Sequence, residues 1–462
     1  MLTRLRLKNF KSWQDTGDIT FKPITGFFGA NSSGKSALIH ALLLLKQTAE
    51  SADRGIVFDF GGEASRIELG DFVSVLHGHE KERILHVSLD WRTEEPLEVE
   101  DSYGRRKVVS SNEIGFQVGA GMEASGAGEQ LVVDTMSYHV GDVRFGLSRQ
   151  RDEPYPYDLF PRRGDSLPDK EDFTFTRYRG RAYGFEHPVK SYRFPDKVRA
   201  YYQNAVFLAD LEFALEQCLQ NVFYLGPLRA PPRRVYAWSG GNPLDVGQAG
   251  ELVVDALLAA RQRNQAINLD RASKKIIFEQ YIAHWLKGLG LIHEFRVVPI
   301  DEGSRYYEVR LRKSPEAAEV LVTDVGFGVS QILPVLVLCF YAPEGSTVIL
   351  EQPEIHLHPS VQAGLADVLI DAWKKRRVQI IVESHSEHLL RRLQRSIAEE
   401  KFSQEDVGLY FCTAEKGVSS LDKLQVNEYG NIVNWPEDFF GDQFGEIVAM
   451  NEAELNRREK AV

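Results

Sequence analysis

The chain has 462 residues, enough for about three domain-sized units or one large core with insertions. Hydrophobic residues make up 43% and charged residues 26%, so apolar material for a core is ample and a disordered chain is excluded. With 55 basic against 66 acidic side chains the formal charge is −11, which excludes a dedicated polycation but leaves room for one local basic groove. Cys218, Cys339 and Cys412 are odd in number, far apart and without a C-x-x-C, against a disulfide framework or zinc ribbon. The opening, Met1 to Lys8, mixes leucine with charge and has no signal-peptide core. The longest apolar run, Ile332 to Ala342, is too short to span a bilayer. A soluble, cytoplasmic protein with no membrane partner is expected.

Residues 1–50 predict an extended segment ending at Asn9-Phe10-Lys11, short strands at Ile19 to Phe21 and Ile24 to Phe28, then Gly29-Ala-Asn-Ser-Ser-Gly-Lys-Ser36 and the helix formers from Ala37 to Leu45. The order is strand, glycine-containing loop, helix. In 51–150, alternation recurs at Ile84 to Trp91, Glu113 to Val118 and Leu131 to Phe145, predicting a β-rich lobe. Residues 151–220 carry many Pro, Tyr, Phe and Arg, with ten basic and six acidic residues between Arg162 and Arg199. They read as an inserted surface segment followed by a helix from Ala205 to Gln220. In 221–435, helices are expected at 251–263 and 272–288 and strands at 292–299 and 305–312. Strands at 347–350, 378–382 and 406–412 then alternate with helices at 360–373 and 386–399, an α/β pattern. Residues 436–462 read as a tail. No repeat or long heptad run is visible, so no coiled-coil arm is expected.

Gly29 to Ser36 matches G-x-x-x-x-G-K-[ST], the phosphate-binding loop. In such a loop the backbone N–H groups of Asn31, Ser32, Ser33 and Gly34 surround phosphates, Lys35 reaches the β/γ oxygens and the Ser36 hydroxyl sits on Mg²⁺. The helix that follows points its N-terminus at the anion. A nucleotide with Mg²⁺ is therefore the expected ligand. Such a loop needs an acid to hold the metal, and Thr347-Val-Ile-Leu-Glu351 is a buried-strand pattern ending in one. Val378 to Val382 is a second apolar strand, ending in Glu383-Ser-His-Ser386. His385 just beyond a parallel strand points into the crevice where α/β ligands bind, and a γ-phosphate contact is expected of it.

The opening Leu-Arg-Leu-Lys-Asn-Phe-Lys-Ser, the phosphate loop, Glu351-Gln-Pro-Glu-Ile-His-Leu-His-Pro359 and Glu383-Ser-His-Ser-Glu-His388 resemble the SMC/RecF/OLD branch of ABC-type ATPases. Tyr224-Leu-Gly-Pro-Leu-Arg229 and Gly430-Asn-Ile-Val-Asn-Trp-Pro-Glu-Asp-Phe-Phe440 resemble bacterial AAA-labelled ATPases with a C-terminal domain of unknown function. The resemblance covers both ends and residues 221–440 and is thin over 75–205. It implies an α/β head with a mixed or parallel sheet core, a β-rich lobe and an inserted middle segment. It also implies a homodimer or higher oligomer in which each ATP lies between one subunit's phosphate loop and the other's signature loop. The matching stretch is Val325-Gly-Phe-Gly-Val-Ser-Gln331. Gly326 and Gly328 would let backbone amides approach a γ-phosphate, although Gly326 stands where many signatures carry serine. Gln248 is a candidate for the glutamine such proteins place between the two loops.

The resemblance makes Glu351 the metal acid and puts Gln352 where a catalytic glutamate is usual. An amide can orient a water but cannot take its proton. Glu354 is the expected substitute if the loop turns it inward. Slow hydrolysis follows, and with it a switch more than a motor. After His385 only 77 residues remain, without the acidic pattern of a nuclease. A separate nuclease or toxin-like effector is therefore the expected partner, by resemblance in anti-phage defence. A RecF-like DNA-repair ATPase and a scaffold that binds ATP without turnover are the alternatives. For DNA, the features are Arg177, Arg179 and Arg181 interleaved with Tyr178 and Tyr183, and Lys374 to Arg377.

Overall fold

The structure is a computed structural model. It describes residues 1–62, 65–101, 106–125, 128–150, 157–164, 173–179, 185, 187–269, 275–436, 449–450 and 453.

Two large sheets organise the described residues. The first is antiparallel and eight-stranded. Its order is Trp13–Asp15, Leu2–Phe10, Leu85–Asp101, Arg106–Ser125, Gly128–Val140, Val143–Arg149 and Tyr157–Arg163, with Ile19–Thr20 also pairing with Leu2–Phe10. The opening strand thus belongs to this lobe, although residues 1–50 read in sequence as part of the phosphate-loop core. The second sheet has six strands in the order Val222–Leu225, Thr347–Glu351, Gln379–Glu383, Ile24–Gly29, Val407–Glu415 and Val418–Leu424. The first five are parallel and the last closes an antiparallel hairpin.

Every residue of the strands Thr347–Glu351 and Gln379–Glu383 is buried, as strands covered on both faces require. Alternate side chains go to separate cores. Ile349 and Ile381 join one core, while Val348, Leu350, Ile380 and Val382 join the other. The first core also holds most of the helix Lys35–Glu50 and the inner face of the antiparallel sheet. Gln379 ties the sheets together: its buried amide donates to Leu2 O at 2.8 Å and accepts from Leu2 N at 2.9 Å. The fold is α/β, a mixed, mostly parallel six-stranded sheet that carries the phosphate-loop strand beside an antiparallel β-rich lobe.

The described part of 151–220 departs from a surface insertion. Phe173, Phe185, Tyr192, Phe194, Tyr202 and Phe207 are buried in the first core, and Phe207 packs edge-on to Phe145 with centroids 4.7 Å apart. Their lack of periodicity misled because they fill a core without forming long elements. Lys190 within this segment donates to Thr48 O at 2.8 Å and Ser51 O at 2.7 Å. It puts a cation at the negative end of the helix Lys35–Glu50. The helix expected over 272–288 instead starts at Phe278, after the strand Lys275–Ile277 pairs with Ala266–Asn268. Most of the 436–462 tail lies outside the described residues.

Candidate functional site

The loop from Gly29 to Ser36 joins an interior strand of the parallel sheet, Ile24–Gly29, to the helix Lys35–Glu50. Two glycines are required by backbone and space. Gly29 has φ 140°, and a Cβ there would stand 2.1 Å from Cys412 O. Gly34 has φ 90°, and a Cβ would stand 2.5 Å from Ser419 Oγ and 2.8 Å from Ser12 Oγ. The Trp13 indole donates to Gly34 O at 3.0 Å. The antiparallel lobe and the last hairpin therefore meet each other against Gly34, where Ser419 Oγ donates to Ser12 Oγ at 2.7 Å. Gly34 caps the helix with no side-chain hydrogen bond, leaving the N-terminal backbone donors for an anion.

Lys35 Nζ curls over the loop, donating to Ala30 O at 2.7 Å and Gly29 O at 3.1 Å and lying 3.4 Å from Ser33 Oγ. Burial lowers its pKa, and the charge of Glu383 opposes that. A cavity of about 310 Å³ opens above the loop, lined by Lys11, Ser12, Asn31 to Ala37, Gln352, Glu383 and His385. The sequence-derived residues Asn31, Ser32, Ser33, Gly34, Lys35, Ser36, Gln352 and His385 thus meet at one place.

The acids are arranged differently from the sequence reading. Glu351 and Glu383 are register partners at the ends of neighbouring parallel strands. The Ser36 hydroxyl, expected to share a metal with Glu351, donates to Glu383 Oε1 at 3.1 Å. The difference follows from strand order: Gln379–Glu383 lies directly beside Ile24–Gly29, whereas Thr347–Glu351 is one strand further away. Glu351 Oε2 instead accepts the Tyr224 hydroxyl at 3.1 Å, and Oε1 lies 3.6 Å from His40 Nε2. Burial, then the charge of Glu383, pushes the Glu351 carboxyl up to about 7. Burial also raises Glu383, against the Ser36 hydrogen bond, Lys35 and the Gln352 amide. Burial and Lys11 push the His40 imidazole down to about 4.

Glu354 is turned inward, but toward backbone and not into the cavity. It accepts the His385 N–H at 2.6 Å and is absent from the cavity lining. Gln352 holds a positive φ of 42° and donates its N–H to Glu383 O at 2.8 Å, which brings its side chain to the cavity. His385 is pushed down by burial and then by Lys35, so the imidazole is favoured over the cation.

Gly326 caps the helix Phe327–Tyr341 with φ −60°. A Cβ at Gly326 would meet nothing within 4 Å, and one at Gly328 only Leu291 Cδ2 at 3.6 Å. Neither glycine lines the cavity of its own chain, and Phe327 between them is 71% exposed.

The buried oxygens Glu351 Oε1, Glu354 Oε2 and Glu383 Oε2 have no hydrogen-bond partner among the described residues. Such carboxylate oxygens beside a phosphate-type loop fit a divalent cation. No group of three or more His, Cys, Asp or Glu among the described residues is placed to hold a metal alone. The residues therefore suit a Mg²⁺ held by one hydroxyl, one carboxylate and phosphate oxygens.

The basic features read for DNA are largely engaged. Arg177 donates to the Tyr202 hydroxyl at 3.0 Å, while Arg181 and Tyr183 lie outside the described residues. Lys374 and Lys375 donate to Lys401 O and Leu269 O, Arg376 to Ala342 O, and Arg377 lies over the Trp373 ring. No helix among the described residues is long and apolar enough to cross a membrane.

A family model described as "AAA domain, putative AbiEii toxin, Type IV TA system" matches residues 140–391, more than half of the chain. The chain belongs to this AAA-domain family. A second AAA-domain model matches residues 4–115, and a model for a protein of unknown function, DUF3696, matches 403–450. Three solved structures similar to this AAA-domain chain are SMC heads. One, bound to the C-winged helix domain of ScpA, is 12% identical over 92% of this chain and 98% of its own, with TM-score 0.45. The SMC head from Thermotoga maritima is 13% identical over 92% and 99%, with TM-score 0.39. An SMC head with an extended coiled coil, bound to the C-terminal domain of ScpA from Pyrococcus furiosus, is 12% identical over 92% and 96%, with TM-score 0.46. No curated protein matches the chain.

Sequence reading missed four supports of the site: Lys11, Trp13, His40 and Tyr224. Lys11 and Tyr224 stood inside the recognised motifs, but their contacts span separate elements. The role of Glu383 was also missed, because only the neighbouring histidine was singled out.

Proposed function

We propose that this chain binds ATP with Mg²⁺ at the Gly29–Ser36 loop, hydrolyses it slowly, and uses ATP to close a symmetric dimer that switches a separate effector protein in anti-phage defence. The observation that carries the reading is the convergence of Lys35, Ser36, Gln352, Glu383 and His385 on one cavity at the carboxyl ends of adjacent parallel strands. Bound Mg²⁺ supplies charge neutralisation for the phosphates. The chain's own groups do the rest: loop N–H groups and Lys35 bind the phosphates, His385 contacts the γ-phosphate, and the Gln352 amide orients the attacking water. Because an amide cannot accept that water's proton, turnover is slow.

Glu354, first expected to take the proton, becomes a positioning residue in this reading, since its carboxylate fixes the backbone of His385. The dimer reading rests on Gly326 and Gly328. The fold of one chain does not require glycine at either position, whereas close approach of a second subunit's nucleotide would.

Thermal unfolding with and without ATP and Mg²⁺, alongside phosphate release, tests the nucleotide reading. Wild type should be stabilised by the ligand and release phosphate slowly. Lys35→Ala should lose both effects; retained stabilisation would refute the loop assignment. Stabilisation of wild type with no phosphate release would make ATP a structural ligand and the chain a scaffold.

A further inference from the structure

Among the described residues, Glu383 is the sole carboxylate lining the cavity above the phosphate loop. It is 2% exposed and sits on the strand directly beside the loop's own strand, where it pairs in register with Phe27, two residues before Gly29. One oxygen accepts the Ser36 hydroxyl at 3.1 Å. The other is buried without a partner among the described residues. A buried carboxylate with an unused oxygen is costly unless a cation completes it. Glu351, the acid the motif points to, is one strand further out, outside the cavity lining, and holds the Tyr224 hydroxyl.

We propose that Glu383, paired with the Ser36 hydroxyl, is the carboxylate through which this chain holds the divalent cation of its bound nucleotide, with Glu351 supporting it from the neighbouring strand. The proposal rests on the ATP reading above and names the residue that reading left open. It also accounts for Gln352. A carboxylate at 352 would set a like charge beside Glu383 in a buried site, whereas an amide adds none.

The test is the Mg²⁺ concentration giving half-maximal ATP-dependent thermal stabilisation, measured at fixed ATP and without reference to turnover. Glu383→Gln keeps size and an acceptor for Ser36, and it should raise that concentration at least tenfold. Glu351→Gln should raise it less. An unchanged Mg²⁺ requirement in Glu383→Gln, or a rise in Glu351→Gln as large as or larger than that in Glu383→Gln, overturns the proposal. Should Glu383→Gln fail to fold, as judged by unfolding in EDTA, Glu383→Asp is read by the same two criteria, because the shorter side chain withdraws its carboxylate from Ser36. If wild type shows no stabilisation at any Mg²⁺ concentration, the ATP reading itself has failed. Stabilised wild type with an unaffected Glu383→Gln refutes the metal role of Glu383 alone.

Discussion

Tyr224 donates its hydroxyl to Glu351 in a site where the acid's other oxygen has no hydrogen bond among the described residues. Tyr224→Phe leaves that carboxylate buried without a hydrogen-bond donor and should destabilise the protein by about 1–3 kcal/mol, read from the denaturant midpoint. The same carboxyl gives a pH dependence whose sign is fixed. Its folded pKa is raised from 4.5 to about 7 by burial and by Glu383, so folding favours the protonated acid. Its contribution is complete below about pH 4.5 and is lost as pH rises through about 7, a change on the order of 3 kcal/mol at most. Unfolding of nucleotide-free protein in EDTA should show this loss between pH 5 and 8, and Glu351→Gln should reduce it, the raised Glu383 and Glu354 carboxyls leaving a remainder of the same sign. For Glu354, two substitutions separate its roles. As a positioning residue it should tolerate Glu354→Gln within a few-fold in phosphate release, because an amide oxygen still accepts the His385 N–H, whereas Glu354→Ala should lose about tenfold or more. A loss of about a hundredfold in Glu354→Gln would instead mark a general base.

At the scale of elements, the loop and the helix it opens are held by parts distant in sequence. Gly29→Ala would set a Cβ against Cys412 O at 2.1 Å at a φ of 140° and should cost several kcal/mol, abolishing ligand-dependent stabilisation. Gly326→Ala meets no atom within 4 Å and should leave unfolding within about 0.5 kcal/mol of wild type. The strand–loop–helix order and the alternating strands and helices after residue 347 were legible, because local pattern and glycine spacing specify them. The pairing of Ser36 with Glu383 was not, since it depends on which strand lies beside Ile24–Gly29, a non-local fact. Phe173, Phe185, Tyr192, Phe194, Tyr202 and Phe207 misled for a related reason: they fill a core whose other half is the antiparallel sheet. The place of Lys190 at the end of the phosphate-loop helix had no local signal at all.

For the whole molecule, the proposed function gives each chain two ATP half-sites, the phosphate loop with its cavity and the exposed loop around Phe327. On that reading neither half is complete within one chain, so ATP should drive association of two copies. Gly328→Asp is the informative variant. Its Cβ meets only Leu291 Cδ2 at 3.6 Å, and an acid in the first turn of the helix Phe327–Tyr341 suits the helix dipole, so the chain should fold. The same carboxylate would oppose a γ-phosphate brought by the second subunit. The deciding measurement is mass by light scattering with ATP and Mg²⁺. Wild type should move from the 52.3 kDa of one chain to twice that value while Gly328→Asp stays at one chain. A wild-type mass that is the same with and without ATP would contradict the account.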